Sequence, residues 1–585
     1  MKPALTNASL FAIAALSLGA CSPQSGEKDA DAALKAIYSS EWTWRQEQVP
    51  DDEDSQKPIQ DHLPSVTPAA QEMRLHYWEN VLEKLHGIDR NTLSAAQQLN
   101  YDVYRPQIEV LIADQKFRDF EMPANSDTTF WTNLGYTARR PFRTLRDYRN
   151  WIAQMRDIPR YFHEEMDEMR AGLKRGFTPP RVTLQGRDAS ITAVTEAAPE
   201  ESLFYTPFKE MPGVSAADQA SLRADAVTTI RDLVQPTYVE LLKFMRTEYV
   251  PGARTTLAAQ DLPDGQAFYR AKIREFTTLD TDPAAIHSLG EAEVARLTGE
   301  MQAVMQESGF KGDLPAFLAY LRSDPKFYAK TPEELLMRAA WIAKRFDGKA
   351  ALFFGYLPRM RFTIRPVPDD LAPFYTGGRG GPGVYLVNTY DLPSRPLYSL
   401  TALTLHESAP GHAFQMPIAM EHKDQPEFRQ HTYISAYGEG WALYCEKLGV
   451  EMGMYDTPYD RFGMLGYQIW RAARLVVDTG IHSQGWTREQ AVDYFRRYTA
   501  LSDREIQTEI DRYIAWPGQA LSYYLGELAI VEARAKAEKA LGAQFNVRAF
   551  HDAVLELGSV PLPVLTARVD RFISEGGQGP YPDME

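Results

Sequence analysis

The sequence predicts a mainly α-helical protein: one large helical body with a central cleft and a small β-sheet set beside a His-Glu helix. Three observations carry that expectation. Apolar residues recur at helical spacing along most of the chain, strand-like alternation is confined to a short stretch near residues 361–389, and no repeat or Ser/Gly linker divides the chain. With 585 residues, 44% of them hydrophobic and 24% charged, there is ample material for a core. The formal net charge of -15 repels phosphate backbones, so a nucleic-acid partner is not expected.

The first residues read as a targeting segment. Lys2 precedes a short apolar core, Leu10 to Leu16, and Leu18-Gly19-Ala20-Cys21 closes it. That core is too short to span a bilayer. Small residues directly before a Cys resemble the lipobox of bacterial lipoproteins, which implies lipidation at Cys21 and a signal peptide over 1–21. Ser22 in the next position resembles lipoproteins sent to the outer membrane, facing the periplasm. Residues 22–31 are then a tether and 32–585 a single domain. Cys445 is the only other cysteine, so no intrachain disulfide is expected.

Helical patterns follow over 32–44, 70–85, 95–120, 145–173, 216–249, 283–305, 332–346 and 488–501. In the second of these, Met73, Leu75, Trp78, Val81, Leu82 and Leu85 share a face. Between the first two, Pro50, Pro58, Pro64 and Pro68 and the run Asp51 to Asp54 indicate a solvated loop. Arg361 to Val367 alternates like a strand, and Gly383 to Thr389 is the clearest strand. Gly378-Arg379-Gly380-Gly381-Pro382-Gly383 fits G-x-G-x-x-G by letter only. A dinucleotide site needs that motif to follow a strand and open a helix, whereas here a strand follows, so a flexible loop beside the cleft is expected.

The chemistry centres on Leu405-His406-Glu407-Ser408-Ala409-Pro410-Gly411-His412. His-Glu on a helix with a second His shortly after is the layout of a zinc hydrolase, with two imidazole ligands and a Glu as general base. The usual separation is four residues; here it is six, which on a regular helix leaves the two rings about 120° apart. Pro410 removes an N–H and clashes with the preceding turn, and Gly411 adds freedom, so a local break can bring His412 round to the ion. Alternatively, His406 merely packs and Pro410 ends the helix. Glu439, in Gly438-Glu439-Gly440-Trp441-Ala442, is the candidate third ligand, with small neighbours that let another helix approach. Glu446, two turns on, is either a carboxylate that orients a histidine or a surface residue. Arg471, Arg474, Asp478 and His482 form a polar quartet in an apolar stretch: a buried ion-pair network, or a setting for His482 to face a developing oxyanion. Gln519 and Tyr523 follow a Pro-Gly turn on one helical face; the Tyr hydroxyl is an oxyanion donor or a core group.

His-Glu-x-x-Pro-Gly-His-x-x-Gln at 406–415, Gly-Glu-Gly-Trp-Ala at 438–442, Val-Val-Asp-Thr-Gly-Ile-His at 476–482 and Pro-Gly-Gln-Ala at 517–520 together resemble the bacterial domain-of-unknown-function 885 family. That family is similar to helical zinc peptidases of the thermolysin-like (gluzincin) superfamily. The resemblance implies zinc on His406, His412 and Glu439, with Glu407 as general base and acid. It implies that Tyr523 and His482 steady the tetrahedral intermediate and that the strand carrying Tyr385 and Asn388 holds substrate backbone as an added strand. Gln519 and Arg474 complete the expected substrate contacts. The function expected is a zinc metallopeptidase acting on short peptides in the cell envelope, held to the membrane only through its N-terminal lipid. The alternatives are a non-catalytic peptide-binding lipoprotein and a metal-dependent amidase acting on cell-wall peptides. No G-x-S-x-G elbow supports a serine hydrolase.

Overall fold

The computed structural model describes residues 25–49, 57–125, 128–369 and 371–581; the leader, Cys21 and the acidic run at 51–54 lie outside them. The described chain is mainly helical, with one three-stranded sheet. The first helix, Ser25–Gln48, begins seven residues before the predicted start, so residues 25–31 are helical rather than a tether. No helix among the described residues is long and apolar enough to cross a membrane.

Long amphipathic helices stand where the spacing places them, including Pro68–His86, Ala95–Phe117, Leu145–Arg175 and Pro283–Glu307. The 216–249 pattern is a helical rod broken twice by π turns, at Ile230–Val234 and Met245–Tyr249. Each π turn leads into a helical segment with Pro236 or Pro251 in its first turn, where the missing N–H costs least.

The buried apolar side chains form three clusters. One joins the N-terminal helices to the sheet and the C-terminal helices, the second surrounds Pro458–Gln484, and the third is gathered around Leu145–Arg175. The helices that carry the candidate ligands lie where the first two meet. Leu397–Glu407 sends Leu400 and Leu405 into one cluster and Tyr398 and Ala402 into the other. Ser435–Glu451 does the same with Trp441 and Leu443. Most of each helix is buried, and apolar residues accordingly lie on more than one face of both.

Close approach sets how the ligand helix sits. Gly440 of Ser435–Glu451 packs against Gly526 of Ser522–Leu541; a Cβ on Gly526 would lie 1.9 Å from the Ala436 carbonyl oxygen.

The sheet has the order β1-β3-β2, with β1 (Thr363–Pro366) parallel and β2 (Gly378–Gly381) antiparallel to β3 (Val384–Val387). The glycine-rich stretch expected as a loop is therefore β2, turned into β3 through Gly383 at φ 78°. β3 is the middle strand with both edges paired, so it cannot accept a substrate strand, contrary to expectation. Tyr385 is fully buried in the core, its hydroxyl 3.4 Å from Thr404 Oγ1. Asn388 is also fully buried, and its amide is already committed. Nδ2 donates to the carbonyls of Ala372, Tyr375 and Thr376 at 3.0 Å each, and Oδ1 accepts from the Tyr390 N–H at 3.0 Å. Both side chains are committed to building the sheet and its connections.

Two stability effects follow. Gly526→Val forces the two helices apart and costs about 1–3 kcal/mol or more, seen as a lower thermal midpoint. Asn388→Ala strands buried carbonyls at about 1–3 kcal/mol for an unmatched group, seen as a lower midpoint and faster proteolysis within 372–376.

Candidate metal centre

The helix Leu397–Glu407 ends one residue after His406, and a new helix, His412–Glu421, begins at the second histidine. Between them Ser408 and Gly411 take non-helical conformations, with ψ of -115° and -133°. The Ser408 N–H still reaches the Thr404 carbonyl, but Gly411 donates to Leu405, six residues back. Gly411 has negative φ, so it is not a left-handed residue: its role is lack of bulk. A Cβ there would lie 1.8 Å from the His406 carbonyl oxygen. The Trp441 indole donates to the Pro410 carbonyl at 2.8 Å, tying the break to the helix that carries Glu439.

The break brings the histidines face to edge, with ring centroids 4.9 Å apart and planes at 86°. His406 Nε2 and His412 Nε2 each lie 3.4 Å from Glu439 Oε2. Among the described residues, these three form the group of donors that can share one ion. Two neutral imidazoles and a carboxylate suit zinc. Bonds of about 2.0–2.1 Å in a tetrahedron place neighbouring donors about 3.3–3.4 Å apart, so the spacing fits.

Supporting bonds orient the set. His406 Nδ1 donates to Glu446 Oε1 at 2.8 Å, which leaves Nε2 free to ligate. Glu446 is thus the orienting carboxylate, buried rather than on the surface. Tyr433 packs against Gly438, and its hydroxyl donates to Glu439 Oε1 at 3.3 Å. Among the described residues His412 Nδ1 is buried without a hydrogen-bond partner, so its ring is held by packing and by Glu439 at Nε2. The electrostatics favour positive charge here. Burial opposes protonation of His406, yet its bonds to Glu439 and Glu446 raise it to about 9. Burial also acts to raise Glu439, but His412 and His406 hold its carboxyl well below the usual range.

Glu407 is held from the other side. The β2 strand runs past the helix end so closely that a Cβ on Gly380 would lie 1.6 Å from the Glu407 carbonyl oxygen. Gly380 N–H donates to Glu407 Oε2 at 2.7 Å. This contact was hidden in the sequence, where the glycines matched a nucleotide motif and marked a loop.

His406, Glu407, His412, Glu439, Gln519, Tyr523 and Arg474 all line one cavity of about 3280 Å³. Among the described residues its wall holds fourteen arginines and no lysine, against ten carboxylates, a formal excess of positive charge in an acidic protein.

The predicted polar quartet divides. Arg474 faces the cavity, where its guanidinium lies 4.3 Å from the Tyr523 ring and bonds to Tyr513 Oη and Glu509 Oε2 at 2.7 and 3.1 Å. Gln519 Nε2 lies 3.5 Å from Tyr523 Oη. Asp478 and His482 point the other way. Asp478, raised to about 7 by burial, accepts from Tyr269 Oη at 2.6 Å and from the Gly518 N–H at 3.2 Å, anchoring the turn before Gln519. His482 is not an oxyanion group. It is fully buried, accepts from Ala259 N–H at 3.1 Å and donates to the Tyr513 carbonyl at 2.8 Å, and burial lowers it to about 3. Both nitrogens are spent on structure, which its motif position concealed.

Comparison with solved structures gives two neighbours spanning nearly the whole chain. The "putative lipoprotein" from Colwellia psychrerythraea is 26% identical, with a TM-score of 0.85 over 94% of this chain and 100% of that one. A "putative lipoprotein of unknown function" from Shewanella oneidensis, 17% identical, shares the fold with a TM-score of 0.65 over 93% of this chain and 99% of its own. Comparison with curated protein sequences gives no match. Residues 50–569 match the family described as bacterial protein of unknown function, DUF885, and the chain belongs to that family.

Proposed function

We propose that the protein is a zinc-dependent peptidase acting on short peptides in the bacterial cell envelope. One observation carries the reading: two imidazoles and a carboxylate converge with tetrahedral spacing, beside a glutamate that lines the same cavity. Zinc on that triad supplies Lewis acidity, polarising a carbonyl and acidifying water.

The chain's own groups do the rest. The Gly380 N–H fixes one oxygen of Glu407, leaving the other to take a proton from the attacking water. The water oxygen bonds to the scissile carbon; as the C–N bond breaks, Glu407 passes that proton to the leaving amine. Tyr523, with Gln519 beside it, is the hydroxyl donor for the oxyanion. The outer edge of β2, rather than β3, is the strand edge next to Glu407. A cavity of about 3280 Å³ exceeds the roughly 300–1,000 Å³ of small-molecule pockets, which suits a peptide. The lipobox-like residues at Cys21 and the names of the two structural neighbours support an envelope lipoprotein.

Elemental analysis of purified protein, paired with a peptide-library digest, tests this. The expected result is one zinc per chain, with Glu407→Gln keeping the metal while cleavage falls by about 10²–10⁴-fold. A folded, metal-free and inert protein would sink the proposal. Glu446→Gln is expected to weaken zinc binding by about 10–100-fold in a chelator competition, because His406 loses its orienting acceptor.

A further inference from the structure

Arginines that outnumber their carboxylate partners line the same cavity as the candidate metal ligands. Arg395 pairs with Glu505 at 3.3 Å, and Arg474 and Arg512 share Glu509 at 3.1 and 3.0 Å. Arg471 completes the group, giving four guanidiniums against two carboxylates. Arg471 is 5% exposed, and among the described residues nothing bonds to it: Nε and Nη1 are buried without partners. Nη1 of Arg474, a residue only 2% exposed, is likewise unmatched.

A buried cation with unmet donors is costly unless an anion completes it. The setting is rigid as well as charged. The Arg471 guanidinium lies over Trp470 and Tyr467 at 4.0 and 4.6 Å, and that of Arg474 lies over Trp470 and Tyr523 at 4.6 and 4.3 Å. Stacking on aromatic faces holds the planar forks ready, and a fork matches the two oxygens of a carboxylate. Every linear peptide carries one such group whatever its sequence, at its C-terminus. Because Arg474 touches Tyr523, a carboxylate gripped here belongs to the part of a substrate nearest the catalytic groups.

We infer that Arg471 and Arg474 form a subsite for the free C-terminal carboxylate of a peptide, so that the protein removes short fragments from peptide C-termini. The cleavage part rests on the peptidase reading above; the binding part does not. Titration calorimetry on metal-stripped protein separates the two, using one peptide as its free acid and as its C-terminal amide. The acid is expected to bind about tenfold or more tightly than the amide. Arg471→Gln brings that ratio to about one without changing amide affinity, and Arg471→Lys restores part of it. Equal binding of acid and amide to the unaltered protein overturns the inference. So does an undiminished preference in folded Arg471→Gln, or inorganic phosphate binding more tightly than the acid. Should Arg471→Gln fail to fold, the ratio measured on the unaltered protein decides alone. An inert protein that still prefers the acid defeats only the peptidase reading, and a zinc enzyme that cleaves acid and amide equally defeats only this one.

Discussion

His406 and His412 face one another because a side chain is missing. On a continuous helix, six residues would splay them apart. The chain instead lets Gly411 rest directly on the His406 carbonyl, a position no Cβ can share, and restarts the helix at His412. Trp441 grips the carbonyl of Pro410 and so couples this break to the helix bearing Glu439. The same helix is set by Gly440 against Gly526, and Glu407 by Gly380 against its own backbone. Three contacts between backbones, each dependent on an absent methyl group, fix the donors. Helices buried between two cores then hold them there, with Tyr433 from the preceding loop bonding Glu439.

Much of this was legible in the residues. The helical body follows from apolar spacing, and the small sheet from alternation before the His-Glu helix. The break between the histidines was readable from Pro410-Gly411, and Glu439 from its glycine neighbours. What stayed hidden depends on partners distant in the chain. Nothing local tells that Gly380 would serve Glu407, or that β2 would pair at all, since its glycines carry no strand propensity. Tyr385 and Asn388 alternate as a strand should, but alternation does not say whether that strand lies at an edge or in the middle. His482 shares a helical face with Asp478, and only the packing of Ala259 and Tyr513 around it reveals a structural histidine. Tyr433 precedes its helix in a loop without any signal, and its value comes from the proximity of Glu439.

Asp478 shows how the hidden half supports the visible half. Buried away from the cavity, it fixes the Gly518 N–H, and Gly518 at φ 82° opens the helix that carries Gln519 and Tyr523. Arg474, four residues earlier on the same helix as Asp478, meets Tyr523 from the cavity side. One long helix, started by the Thr457–Asp460 capping box and closed at Gly485, therefore positions the tyrosine from both directions. The metal donors and the arginine wall are separate constructions joined through this single element.

The choice of arginine throughout the cavity has a further consequence. A guanidinium keeps its proton at any physiological pH, and it does not react as an amine. The arginines of the lining therefore contribute a constant positive charge when the medium turns acidic or alkaline, whereas His406 gives up its proton at about 9. Variation in ligand capture with acidity then reports the titration of the ligand, of His406 and of the lining carboxylates, because the guanidiniums do not titrate. Such a set of arginines holds its charge over a wide range of acidity.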